Sequence, residues 1–296
     1  EQAEAMGVNI FPGFTAAEVL YDENDAVKGI ATGDMGVSAE GEQKGTFTPG
    51  YELLAKYTIF AEGCRGHLGK QLIRKFNLDA NSGTPHYGIG LKELWSIDPA
   101  KHKAGKVVHT IGWPLNHLPG GTTGGSFLYH LPDNQVSLGL IVDLSYKNPH
   151  LSPYDEMQRW KHHPLIADVL QGGERISYGA RALTKGGLQA LPTLTLPGAL
   201  LAGDDAGFLN TLKIKGSHTA MKSGMLAAEA AFDELAAGHG HTDASSYQSR
   251  FEDSWLFDEL NRSRNVGPAL HKLGMLGGSA HAFIDQFFSG HQPWTL

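Results

Sequence analysis

The segment Leu201-Ala-Gly-Asp-Asp-Ala-Gly-Phe-Leu-Asn-Thr-Leu-Lys-Ile-Lys-Gly-Ser-His-Thr-Ala-Met-Lys-Ser-Gly224 groups the residues best suited to hold a ligand. An apolar run, Leu196-Pro-Gly-Ala-Leu-Leu-Ala202, predicts a buried strand that ends at Gly203 with Asp204 and Asp205 beyond it. Carboxylates at that position suit ribityl or ribose hydroxyls. A helix is then predicted to begin at Gly216, with Met221, Met225, Ala228, Phe232 and Leu235 recurring at helical spacing. Helix N-termini leave backbone N–H groups unpaired and carry partial positive charge, and a glycine there lets a ligand come close. Ser217, His218, Thr219 and Ala220 fall in this first turn. The same pattern also describes a capped surface helix after a tight turn, and the residues alone leave both readings open.

A second group is Ile59-Phe-Ala-Glu-Gly-Cys-Arg65, which puts Glu62 at the end of an apolar strand with Gly63 and Arg65 beyond it. In a nucleotide-binding sheet the crevice lies at such carboxyl ends, and an arginine there suits a pyrophosphate. A plain strand-to-helix turn accounts for it as well. A third group pairs Gly120-Gly121 with Gly124-Gly125 ahead of Ser126-Phe-Leu-Tyr129. Such glycines expose backbone groups to a ligand carbonyl, or simply form a hairpin loop.

The 15 histidines have no metal-ligand spacing: His162 and His163 are adjacent, and His109, His117 and His130 are unmatched. No metal site is assigned in this chain. No nucleophile elbow, Walker loop or Gly-x-Gly-x-x-Gly unit is present, so no catalytic acid, base or nucleophile is assigned.

The elements that must position these groups follow from pattern. Short strands are predicted at 8–11, 16–20, 26–32 and 51–61, with a polar loop or hairpin tip at 39–50 and a helix from 68 to 76. From about Thr84, consecutive strand-like segments with short Gly/Pro/Asn turns suggest an inserted antiparallel sheet. Ser152-Pro153 opens a helix running to about Leu170. A polar linker follows Gly238, then a helix from 244 to 261 and an apolar segment, Pro268 to Ser289. The organisation expected is 1–83 and 191–242 as one α/β unit, 84–190 as the insertion, and 243–296 as C-terminal helices.

At 296 residues, with 41% hydrophobic content, the chain can bury a sizeable core. A net charge of −7 argues against general nucleic-acid binding. No run of about 18 apolar residues predicts a transmembrane helix. Cys64 is the single cysteine, so this chain forms no internal disulfide and no cysteine-ligated cluster.

Several of these segments together resemble the electron transfer flavoprotein–ubiquinone oxidoreductase family. They include Phe60-Ala-Glu-Gly-Cys-Arg-Gly-His-Leu68, His109-Thr-Ile-Gly-Trp-Pro-Leu115, Gly124-Gly-Ser-Phe-Leu-Tyr-His-Leu131 and Tyr178-Gly-Ala-Arg-Ala-Leu183. Lys213-Ile-Lys-Gly-Ser-His-Thr-Ala-Met-Lys-Ser-Gly224 and Pro293-Trp-Thr-Leu296 complete the match. The resemblance implies an α/β (α+β) fold: a glutathione-reductase-like FAD-binding domain, incomplete here, with an inserted antiparallel quinone-binding domain.

It implies a monotopic membrane flavoenzyme, an electron-transferring-flavoprotein dehydrogenase. Such an enzyme takes electrons from reduced electron transfer flavoprotein to ubiquinone through FAD and a [4Fe–4S] cluster. By matching position, Glu62, Gly63 and Arg65 would line FAD, with Gly203, Asp204 and the turn of Gly216, Ser217, His218, Thr219 and Ala220. Gly124 and Gly125 would contact the quinone head group, and residues 268–289 would face the membrane. The implied place is the cytoplasmic face of a bacterial inner membrane, or the matrix face of the mitochondrial one. The dinucleotide motif is expected upstream of Glu1 and the cluster's cysteines after Leu296. Two alternatives stand beside this reading: a geranylgeranyl-reductase-like FAD-dependent oxidoreductase, and a truncated, non-catalytic binding fragment.

Overall fold

The computed structural model describes residues 1–115, 121–288 and 294–296. His117, Gly120, Ser289 and Pro293, singled out above, lie outside the described residues. After a short helix α1 (Gln2–Ala5), strands β1 (Ala16–Tyr21) and β2 (Val27–Thr32) form an antiparallel hairpin. Its turn is set by Asp22, whose Oδ1 accepts from the N–H groups of Asn24 and Ala26. No strand forms at 8–11: Val8, Ile10 and Phe11 are exposed and pair with no strand among the described residues. The polar stretch 39–50 is in part strand, since β4 (Gln43–Thr48) pairs with β3 (Met35–Val37).

The single strand expected at 51–61 is two. β5 (Glu52–Leu54) joins the β1–β2 sheet, whereas β6 (Thr58–Phe60) runs parallel to β13 (Ala199–Leu201) in another. The break between them carries the chain from one sheet to the next. The apolar run before Gly203 is likewise a hairpin, β12 (Thr195–Leu196) to β13, because Pro197-Gly198 turns it and Gly198 takes φ +76°. β6 leads into α2 (His67–Phe76), and β13 leads through a short 3-10 turn at Gly203–Asp205 toward α5 (Ser217–Ala236). Both carboxyl ends of the parallel pair therefore open on one side.

α5 buries Thr219, Ser223, Leu226, Ala227, Ala230 and Ala231. Its large residues point the other way: Met221, Met225, Phe232 and Leu235 are exposed. Small residues on the buried face let the helix approach closely, and Ser223 Oγ accepts a 2.9 Å hydrogen bond from the Gly203 N–H.

The second sheet has the order β11-β7-β10-β9-β8, every pair antiparallel. Its strands are β7 (Tyr87–Ser96), β8 (Val107–Ile111), β9 (Gly124–His130), β10 (Gln135–Asp143) and β11 (Glu174–Thr184). One face packs on α3 (Pro153–Lys161) and α4 (Pro164–Leu170), burying Leu128, Val136, Leu138, Leu140, Met157, Trp160 and Ile166. The one helix expected at 152–170 is two, because Pro164 cannot donate to the turn before it. The chain ends in α6 (Ser246–Glu252), α7 (Trp255–Arg262) and α8 (Val266–Phe287), the last kinked at Gly274, where φ is +69°.

Candidate flavin and quinone site

The free face of the five-stranded sheet is floored by missing side chains. Strand side chains alternate between faces, and Leu138, Leu140 and Val142 occupy the packed one. Along the register the opposite face holds Gly88 and Gly90 on β7, Gly125 on β9, Gly139 on β10 and Gly179 on β11. Above Gly139 lies the Phe127 ring, where a Cβ would collide with it, and Phe127 stacks on Tyr129 at 4.7 Å between centroids. A cavity of about 1160 Å³ stands on this floor, lined by Gly124, Gly125, Phe127, Ile141 and Leu183, among others. Its far wall is Leu212, Lys213, Ile214 and Lys215, the residues just before Gly216. The cavity and the first turn of α5 therefore share one loop.

Gly124 and Gly125 differ. A Cβ on Gly124 would strike the Ile141 carbonyl and Leu115, whereas one on Gly125 meets, among the described residues, only the Thr110 carbonyl, at 3.0 Å. Gly216 caps α5 without a side-chain hydrogen bond, and no acidic residue occupies the first turn. The leading N–H groups, including those of Ser217 and His218, thus have no intrahelical acceptor. His218 turns away, its Nε2 2.7 Å from Glu259 and its ring stacked over Trp255. The Thr219 hydroxyl is buried and donates to the carbonyl oxygens of Phe208 and Gly216. Gly203 has φ +62°, and its Cβ position would lie 3.4 Å from Ala220.

The loop after β6 lies beside this turn. Glu62 closes the N-terminus of α2: Oε1 accepts from His67 N–H at 3.1 Å, and Oε2 from Leu68 and Gly69 N–H at 2.9 and 2.8 Å. Gly63 takes φ +87° with open space where a Cβ would stand. The Arg65 guanidinium sits over the Tyr87 ring, 5.6 Å from its centroid. Asp204 accepts from the N–H and hydroxyl of Thr184. Burial raises its carboxyl, against the pull of those two bonds. Burial, with Glu62 and Asp204 nearby, pushes Asp205 up to about 7. Burial also raises the Cys64 thiol, with Asp204 adding to the effect.

The structure thus groups Glu62, Gly63, Arg65, Gly203 and Asp204 at one sheet end, and sets Gly124 and Gly125 across the shared loop from Gly216. Pattern reading missed Asp143, Lys185 and His271. Asp143 is buried and ion-paired with Lys185 at 2.9 Å, and its Oδ2 lies 3.4 Å from His271 Nε2. They are more than forty residues apart in sequence, and no motif links them. Among the described residues no group of His, Cys, Asp and Glu could hold a metal ion, and no helix is long and apolar enough to cross a membrane.

Residues 87–183 match the family model described as ETF-QO, ubiquinone-binding. An electron transfer flavoprotein–ubiquinone oxidoreductase of Pseudomonas aeruginosa is 62% identical over 299 residues, covering 100% of this chain and 54% of that protein. The chain belongs to this family. The mitochondrial electron transfer flavoprotein–ubiquinone oxidoreductase of Bos taurus is 54% identical over 305 residues, covering 100% of the chain and 49% of the relative. The chain thus spans about half the length of the curated family members it matches. Among solved structures, a geranylgeranyl bacteriochlorophyll reductase-like protein from Thermoplasma acidophilum aligns with a TM-score of 0.69 at 17% identity, covering 98% of this chain and 65% of that one. A flavin-dependent brominase aligns at 0.60 and 15% identity, covering 98% and 67%. At such identities the likeness is one of fold: the glutathione-reductase-like FAD-binding fold, here carrying the antiparallel sheet of the family's ubiquinone-binding region.

Proposed function

We propose that this chain supplies the flavin–quinone junction of an electron transfer flavoprotein–ubiquinone oxidoreductase, passing electrons from electron transfer flavoprotein through FAD to ubiquinone. The observation that carries the reading is the shared wall. Residues 212–215 close the glycine-floored cavity on one side and lead into the first turn of α5 on the other. A quinone head at Gly124 and Gly125 and a flavin ring at Gly216 would be neighbours.

The residues present fit FAD. The uncapped start of α5 offers N–H donors to a ring that gains negative charge on reduction. Gly63 and Gly203 keep the backbone open at the strand ends, where a long cofactor must pass. Ser217 and Ala220 would face the ring, with Thr219 buried behind them as the anchor of that turn, and Asp204 would face the ribityl hydroxyls. Arg65 would answer the pyrophosphate after leaving Tyr87, and Glu62 would act through the α2 turn that it caps. FAD supplies the redox chemistry, and the chain supplies placement and electrostatics. A [4Fe–4S] cluster belongs to this reading only through residues other than these, since Cys64 is the single cysteine.

Membrane association is part of the proposal. α8 exposes Leu276, Phe283, Ile284 and Phe287, and Phe288 follows it. Such an apolar surface suits an interfacial helix that dips into one leaflet and admits a prenyl tail.

The test is direct. The FAD-loaded protein, photoreduced without oxygen, is mixed with a short-chain ubiquinone. Rapid flavin reoxidation with stoichiometric quinol supports the reading. Oxidation by oxygen but not by quinone overturns it.

A further inference from the structure

Against the large cavity lies a smaller one of about 210 Å³, and Gly124, Ile111, Leu212 and Ile214 line both. Its polar lining is Thr123, Asp143, Lys185, Thr211, His271 and Ser279. Asp143 ends β10 on the glycine face of the sheet, two residues beyond Ile141. It is 1% exposed, and its Oδ2 accepts from Lys185 Nζ at 2.9 Å and from Thr123 Oγ1 at 3.3 Å. Its Oδ1 accepts from the Ser145 N–H at 3.0 Å. Lys185, at the end of β11, has a side chain only 8% exposed. His271 comes from α8, with Nε2 3.4 Å from Asp143 Oδ2 and a side chain 32% exposed. His86, before β7, stacks on His271 with centroids 4.5 Å apart. An imidazole, a carboxylate and an ammonium thus run inward from solvent, from His271 through Asp143 to Lys185.

We propose that Lys185, Asp143 and His271 supply the proton taken up at the quinone oxygen on the Gly124 side. The inference rests on the quinone reading above. Two electrons come from reduced flavin, and each quinone oxygen must form an O–H bond. Lys185 breaks an N–H bond to serve the inner oxygen, and water serves the oxygen toward the cavity mouth. Lys185 regains its proton from the His271 imidazolium through Asp143, and His271 regains one from solvent at its exposed edge.

The electrostatics agree. Burial pushes the Asp143 carboxyl up, but the Lys185 ammonium, the Ser145 N–H and His271 outweigh it and hold it below the usual carboxylate range. Burial lowers His271, His86 and Lys185 add to that, and Asp143 opposes them. A histidine with a lowered pKa surrenders its proton readily, as a relay member must. Another polar chain, His109–Tyr129–Lys215, also borders the large cavity, but none of its members is buried.

The experiment is single-turnover oxidation of the reduced, FAD-loaded full chain by a short-chain ubiquinone, in His271→Gln and Lys185→Arg variants across neutral pH. His271→Gln is expected to slow quinone reduction by about tenfold or more. It should also lose the histidine ionisation from the pH profile, raise the solvent isotope effect and recover with added imidazole. Flavin content and quinone-analogue binding should be unchanged. Lys185→Arg keeps the charge but holds its proton far more tightly, so it should reduce quinone slowly while staying folded. A His271→Gln variant with the parent pH profile and no imidazole response overturns the proposal, as does a Tyr129→Phe variant that removes the ionisation instead. A parent protein whose flavin quinone does not reoxidise sinks the quinone reading itself, and this inference with it.

Discussion

The carboxyls of Glu62 and Asp205 meet over the glycine face of α2. A Cβ on Gly66 would strike Asp205 and sit 3.0 Å from Glu62 Oε2, and one on Gly69 would again strike Asp205. Glu62 accepts from three backbone N–H groups, whereas Asp205 Oδ2 is buried with no hydrogen-bond partner among the described residues. Burial, with Glu62 and Asp204 nearby, therefore keeps a proton on Asp205 up to about pH 7.

That retained proton predicts a pH dependence of stability. The folded state raises Asp205 from 3.8 to about 7, so it binds this proton more tightly than the unfolded chain does. Stability from this site is complete below pH 3.8, falls as pH rises toward 7, and is constant above. Asp205→Asn removes the ionisation. The variant should melt at a higher temperature than the parent above neutrality, with the gap closing in acid. Thermal denaturation at several pH values reads this, and a gap that does not change with pH would count against it.

Glu62→Ala should cost stability by stripping the cap from α2. Gly66 at the N-cap offers no side chain, so the N–H groups of His67, Leu68 and Gly69 would lose their acceptor together. Losses of this type are about 1–2 kcal/mol. Glu62→Gln keeps an acceptor and should lose less. Urea denaturation of both variants distinguishes them, and equal losses would mean that the cap is not the cause.

The elements holding these groups were legible in sequence because their signals are local. Gly/Asp punctuation marked both strand ends, Ser152-Pro153 marked α3, and short Gly/Pro/Asn turns marked the antiparallel sheet. The polar character of 39–50 hid β4, whose residues are mostly exposed and pair only with the short β3. α5 misled in another way: its large apolar residues face outward while Ala and Ser make the buried contact. Site residues set by long-range register were invisible. Asp143 reads as the end of a strand, and Lys185 and His271 as surface charges, until β10, β11 and α8 bring them together. The glycines at 88, 90, 125, 139 and 179 form a floor only once the register is known.

The exposed face of α8 makes the proposed membrane binding measurable. Leu276 is 89% exposed and Phe283 74%. Burial of each such side chain contributes about 1.5–3 kcal/mol. Replacing both with Glu should reduce cosedimentation with anionic phospholipid vesicles by at least about tenfold. Neither side chain belongs to the buried cores, so the melting temperature should hardly move. Unchanged vesicle binding by the folded double variant would show that this face does not meet the bilayer.

Gly125 separates the proposed quinone site from the fold that carries it. Its neighbour Gly124 is no use for this purpose, because any side chain there collides with the Ile141 carbonyl and Leu115 inside the sheet. At Gly125 the only close atom among the described residues is the Thr110 carbonyl oxygen at 3.0 Å, which a shift of a few tenths of an ångström relieves, and the rest of a side chain would extend into the cavity. Gly125→Leu should therefore keep the fold and the flavin while occupying the space of a quinone ring. The expected result is a KM for short-chain ubiquinone raised about tenfold, near 1.4 kcal/mol of lost binding. FAD content and the rate of flavin reduction should stay at parent values. Parent-like quinone kinetics in a Gly125→Leu protein would place the quinone elsewhere on the glycine floor, away from β9.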